Sequence, residues 1–241
     1  MVLNLLEILH GTLTIVFVII SILIGLRIIS RYFKLKKSQF LLFGIFWIGM
    51  TTPWWPNIIT FIMVLVTGGT IDIAFYVVLG IAFLPITITL GLIAFLKVLP
   101  LKRKNKKIFF TIDVSANLAY EVYFFISLYI DLSLIAKYEE IFILEWSIPS
   151  QIYFIFSLIV FLLVGIPFSR VSLHSEDPEI HMKGKFLLIA FISFATGTVL
   201  DFAIPSPITY LIARLILLSS SLEFYIGLIL PKWAKKILKM E

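Results

Sequence analysis

Asp113, Asn117 and Glu121 stand at i, i+4 and i+8 inside an otherwise apolar run over 108–130. On a helix this spacing lines one face. A carboxylate in hydrocarbon is costly and persists where it faces a protein interior, a partner or water, which makes the stripe a candidate functional site. Two later apolar runs also carry ionisable residues: Asp201 near the end of one, Arg214 and Glu223 within the next. At 1.5 Å per residue, Arg214 lies about 10 Å inside the start of its run and Glu121 about 13 Å inside the end of its own. A guanidinium at that depth needs a counter-ion, and the predicted partners are Glu121, Asp201 or both. With Asn117 and Tyr210 these residues outline a candidate pocket for a small ligand or ion. The competing reading is a structural ion pair that locks helices together.

Glu223 is nine residues past Arg214, half a rotation away on a helix, so it belongs to a different face. It falls with Ser219 and Ser220, and its predicted partner is Arg27 or another base at the same end of the bundle. Asp113 is predicted in the second turn of its helix. The helix dipole and the bases Lys97, Lys102, Arg103, Lys104, Lys106 and Lys107 all favour a carboxylate there. Glu223, Ser219, Ser220 and Asp113 make a candidate inner polar cluster. A proton or cation route from Glu121 to Glu223 would require water together with Ser115, Asn117, Ser219 and Ser220. His10 is predicted on the opposite side of the membrane from His174 and His181, so the three give no metal site, and no cofactor is implied. Residues 175–179 read as a turn and helix start.

Seven membrane spans are needed to position these groups. The chain has 241 residues, 61% hydrophobic and 14% charged, whereas a soluble domain is nearer one-quarter charged. Apolar runs at about 11–30, 39–66, 72–97, 108–130, 148–169, 186–204 and 208–230 are each long enough to cross a bilayer core. The predicted fold class is all-α, a polytopic membrane protein with a single seven-helix transmembrane bundle. Pro53 and Pro56 bracket Trp54 and Trp55 and should kink the second run. In the alternative, the Trp pair ends the span at the interface and a re-entrant helix follows. Pro85 predicts a kink in the third run. Of the 20 Lys and Arg, all but Lys137 and Arg214 flank the same ends of the runs, which predicts the N-terminus outside, the C-terminus in the cytoplasm and a place in the cell membrane. The outer loop over 131–147 should place Tyr138 and Trp146 at the headgroup level. Ala203 to Pro207 should form a tight outer turn. Residues 231–241 read as a short basic amphipathic tail on the inner leaflet.

Several chemistries are excluded. The chain has no cysteine, hence no disulfide, thiolate metal site or cysteine nucleophile. The first run lacks a basic n-region and a small-residue cleavage site, so it is not expected to be a cleaved signal peptide. The net charge of +6 sits beside the spans and reads as topology rather than nucleic-acid binding. HExxH, GxSxG and P-loop patterns do not occur. A retinal Schiff base needs a lysine in the seventh span, which carries only Arg214 as a base.

The run Ser219-Ser220-Ser221-Leu222-Glu223-Phe224-Tyr225-Ile226-Gly227, followed by Leu230-Pro231-Lys232-Trp233, resembles the last helix of the seven-helix sensory modules of archaeal and bacterial signalling proteins. That resemblance implies a receptor-like sensor with a small-molecule ligand in the outer pocket and a cytoplasmic signalling partner, and carries over no site residue. A small-solute or ion transporter or channel is the alternative, motivated by acids at two depths and a proline-broken span. A lipid-modifying enzyme using Glu223 or Asp113 as base, or a structural subunit, completes the set. The lipid bilayer is the one partner every reading shares.

Overall fold

Helix ends are set by local signals that extend beyond the apolar runs. A computed structural model describes residues 3–140, 142–204 and 206–238. Asn4 and Glu7 form a reciprocal capping box: Asn4 Oδ1 accepts the Glu7 N–H at 2.9 Å, and Glu7 Oε2 accepts the Asn4 N–H at 2.6 Å. They open α1 (Leu5–Leu35), which ends on Lys36 in the left-handed conformation. Asp72 caps α4 (Ile73–Ile81) and Asp177 caps α8 (Pro178–Ala203), which begins where residues 175–179 predict a helix start. Prolines in the first turn of α7 (Ile148–Leu173), α8 and α9 (Pro207–Ile229) suit positions whose N–H groups have no partner within the helix.

The second run is broken rather than smoothly bent. α2 (Ser38–Gly49) gives way to one 3-10 turn over Thr52–Trp54, and α3 (Trp55–Thr67) continues the run. Trp54 is buried within the bundle, so it is not an interfacial anchor. The third run also divides, α4 ending ahead of Pro85 and α5 (Leu84–Val98) carrying it as its second residue. α6 (Arg103–Ile130) is continuous. A short helix, α10 (Lys232–Ile237), occupies the basic tail, whose residues 239–241 lie outside the described ones. Pro205, in the expected outer turn, lies outside them too.

The loop over 131–147 holds secondary structure that the sequence reading does not anticipate. Its centre is an antiparallel hairpin of β1 (Ala136–Glu140) and β2 (Ile143–Trp146), with Lys137 opposite Glu145 and Ala136 opposite Trp146. The aromatic rings pack on helices. Tyr138 meets Tyr76 edge-on at 5.9 Å, and Trp146 meets Phe154 edge-on at 5.1 Å.

Among the described residues, six helical stretches are long and apolar enough to cross a membrane: Leu5–Leu35, Ser38–Thr67, Ile73–Val98, Ile148–Leu173, Pro178–Ala203 and Pro207–Ile229. α6 has 28 residues, about 42 Å of rise, but its polar stripe lowers its hydropathy and it is not one of the six. Leu23, Val66, Ile86, Ile152 and Leu163 face outward, a surface suited to lipid rather than water. The protein is therefore an all-α bundle embedded in a membrane.

Inside, α8 packs on α7 and α9, α1 on α2 and α9, and α5 on α2, α6 and α7. Glycines permit the closest approaches. A Cβ on Gly44 would lie 2.7 Å from the Gly25 carbonyl oxygen, so α1 and α2 meet nearly backbone to backbone. A Cβ on Gly197 of α8 would lie 2.9 Å from Leu217 of α9. Two polar contacts tie α1 to α9: Thr14 to Arg214 and Ser21 to Ser221, each 2.9 Å. Both positions advance by seven residues between the contacts, so α1 and α9 run parallel.

Candidate functional site

Four elements converge on Arg214. It projects from the buried face of α9 and is 1% exposed. Its Nη1 donates to Asp201 Oδ1 on α8 at 2.5 Å, and its Nε donates to Thr14 Oγ1 on α1 at 2.9 Å. The Thr14 hydroxyl in turn donates to the His10 carbonyl at 2.7 Å. Asp201 Oδ2 accepts the indole N–H of Trp54, from the turn that interrupts the second run, at 2.7 Å. The guanidinium lies 5.8 Å from the Trp54 ring and 6.0 Å from the Tyr210 ring, within cation–π range. Gly197 sits one turn before Asp201 and lets α8 approach α9 closely enough for this pair to form.

A cavity of about 70 Å³ adjoins this network, lined by Arg214, Asp201, Tyr210, Asn57, Ser157 and Trp54 with apolar neighbours that include Leu144 and Phe142 of the hairpin. It has room for several waters or a very small solute. Asn57 Oδ1 accepts the Tyr76 hydroxyl at 2.6 Å. Ser157 is 4% exposed, and its Oγ has no hydrogen-bond partner among the described residues. A buried hydroxyl beside an open space is where a bound molecule would gain a partner. On the hairpin that roofs the cavity, burial pushes the Tyr138 phenol up to about 12, so it is a neutral hydrogen-bonding group.

Of the residues singled out in the sequence, Arg214, Asp201 and Tyr210 lie together. Glu121 and Asn117 do not join them, and no residue of α6 lines the cavity. The buried face of α6 runs through Asp113, Asn117, Tyr120, Phe124 and Ser127. Eight residues at 3.6 per turn leave Glu121 about 80° from Asp113, at the margin of that face. Glu121 Oε2 has no hydrogen-bond partner among the described residues. Asn117 belongs to a separate chain of bonds. Thr89 on α5 donates to Asp113 Oδ2 at 2.9 Å, Asn117 Nδ2 donates to Thr89 Oγ1 at 2.9 Å, and the Tyr153 hydroxyl on α7 donates to Asn117 Oδ1 at 2.8 Å. Tyr153 stacks flat on Tyr120 at 3.6 Å.

The expected inner cluster separates as well. Helix α6 starts at Arg103, so Asp113 is nearly three turns in rather than in the second turn; it is 1% exposed and held by Thr89, not by the helix end. Glu223 accepts from Ser219 at 2.8 Å on its own helix, while Ser220 donates to the Leu217 carbonyl. Among the described residues Glu223 meets no Arg27 or other base. His174 and His181 bond to the carbonyls of Arg170 and Leu173.

Sequence reasoning missed Trp54, Thr14, His10 and Ser157 as members of the outer site. The spacing Thr14/Arg214 and Ser21/Ser221 was available as two polar rungs a heptad apart, but only a known pairing of α1 with α9 gives it meaning. His10 stacks on Tyr210 at 5.7 Å and meets Phe142 edge-on at 5.3 Å. Comparison with protein-family models, curated proteins and solved structures returned no match. The functional reading accordingly rests on this geometry.

Proposed function

We propose that the protein is a receptor-like sensor of the cell membrane that binds a small polar solute in the cavity beside Arg214 and Asp201. The observation that carries the reading is the combination of a cavity with a buried guanidinium–carboxylate pair at its wall and an unpartnered buried hydroxyl, Ser157, on its lining. Arg214 and Asp201 contribute donors and an acceptor in a setting sheltered from water, where each polar contact with a ligand is strong. The reading takes seven spans, with α6 as the fourth. The parallel course of α1 and α9 supports that count, since six up-and-down crossings would set them antiparallel. The basic helix ends favour an N-terminus outside, and in that orientation the cavity opens towards the exterior.

Starting at the cavity's own lining, Trp54, Phe194, Trp47 and Phe224 form a continuous aromatic layer, with ring centroids 6.0, 5.8 and 4.1 Å apart in turn. That layer favours a sensor over an open channel. It also gives a mechanical route: Trp54 touches Asp201 and Phe194 at once, so a shift at the pair is passed to the aromatic layer and from there to the cytoplasmic ends and a signalling partner. Thermal unfolding of the purified protein across a panel of small metabolites and ions tests the proposal. At least one compound raises the Tm of the wild type and not that of Asp201→Asn; a panel with no stabilising compound argues against a ligand site.

A transport reading has one observation in its favour. The breaks in the second and third runs, at Pro53–Trp54 and before Leu84, both line the cavity, and discontinuous helices frame substrate sites in many transporters. Uptake of the stabilising compound into liposomes separates the two: flux supports transport, and binding without flux supports the sensor.

A further inference from the structure

A second cavity, of about 200 Å³, lies at the basic end of the bundle and is the larger of the two. Its walls are aromatic and aliphatic, with Phe43, Trp47, Phe95, Phe191 and Phe224 contributed by α2, α5, α8 and α9. Protein interiors are close-packed, and an apolar hollow of this size accepts apolar guests, as an engineered cavity of about 150 Å³ accepts benzene. Arg27 and Arg31, one turn apart on α1, line the same cavity. Among the described residues neither guanidinium is in a salt bridge or donates a side-chain hydrogen bond. Two free arginines beside an aromatic hollow match an amphiphile with a phosphate head, because a guanidinium fork pairs with phosphate oxygens in two parallel bonds.

We infer that this cavity binds one anionic phospholipid from the surrounding bilayer, with the end of an acyl chain among the phenylalanines and the phosphate on Arg27 and Arg31. The inference is independent of the outer site. The lipid links α1, α2 and α9 at the end of the bundle opposite Arg214, and makes the packing of those ends depend on the charge of the membrane. Trp47 lines the cavity and supplies a reporter.

The test uses the full chain in phosphatidylcholine vesicles that contain a minor fraction of lipid brominated near the chain end, either phosphatidylglycerol or phosphatidylcholine. The Trp47 signal is the difference in fluorescence between the wild type and Trp47→Phe. Brominated phosphatidylglycerol should half-quench it at about a tenfold lower fraction than brominated phosphatidylcholine, the preference two arginines give near an anionic lipid. The double variant Arg27→Gln with Arg31→Gln should lose that preference. The control double variant Lys102→Gln with Lys104→Gln removes the same charge from the same end and should keep it. Equal quenching by the two lipids in the wild type would overturn the inference. So would a preference that survives in the arginine variant, or one that disappears equally in the lysine control, which would mean general attraction to the basic surface.

Discussion

Asp201 and Asp113 are both carboxylates inside the bundle, and their surroundings differ. Asp201 receives a guanidinium, an indole N–H and a cavity. Asp113 is more deeply buried, receives one hydroxyl, and keeps Oδ1 without a partner among the described residues. The first is part of a charged network that spans four elements. The second ends a chain of neutral hydrogen bonds through Thr89, Asn117 and Tyr153 that fastens α6 to α5 and α7. The contrast shows that a polar residue in an apolar run is a guide to function only when its partners are known. An acid matched by a base beside a cavity can exchange partners with a ligand; an acid held by a hydroxyl in a packed seam is an anchor.

Mutations that remove charge from the two regions should therefore have unequal effects. Arg214→Ala leaves Asp201 without its counter-ion and Thr14 without its donor, and should destabilise the protein by about 3–5 kcal/mol in reversible unfolding from mixed micelles. Asp201→Asn keeps the shape and an acceptor but strips the charge from the pair, for a loss of about 1.5–3 kcal/mol in the same assay. Tyr153→Phe removes one neutral bond to Asn117 and should lower stability by about 1 kcal/mol. Asp113→Asn keeps an acceptor for the Thr89 hydroxyl and has no counter-ion to strand, so it should leave stability within about 1 kcal/mol of the wild type or raise it. Glu121→Gln, at the margin of the α6 face, should change stability by less than about 0.5 kcal/mol and leave ligand-induced stabilisation intact. A loss on Asp113→Asn equal to that on Asp201→Asn would erase the distinction between the two regions.

Much of the frame was legible in the sequence. The apolar runs, the breaks at Pro53 and Pro85, and the need of Arg214 for an acid all follow from solvation physics that acts on single segments. Asp201 was within reach because both residues lie near the same end of adjacent runs. Glu121 matches Arg214 in depth, but the i, i+4, i+8 spacing drifts about 80° over eight residues and turns it away from the face that Asp113 begins. Asp113 was misplaced for a different reason: α6 starts within the basic segment at Arg103, ahead of the apolar run, so the helix end lay farther away than hydropathy implied. The hairpin, the role of Trp54 and the contact of Thr14 with Arg214 depend on which elements become neighbours, and no local pattern in the chain encodes that.

The central claim is that the space beside Arg214 and Asp201 is a water-connected pocket open to the exterior and not a sealed structural pair. Because the chain has no cysteine, a single introduced thiol reports on one place alone. Ser157→Cys puts that thiol on the cavity lining, and Leu163→Cys puts one on the lipid-facing side of the same helix. A charged, membrane-impermeant thiosulfonate added to the outside of intact cells should modify Ser157→Cys and spare Leu163→Cys. If Ser157→Cys stays unmodified in cells yet reacts fully once the protein is denatured, the pocket is sealed and the account is wrong.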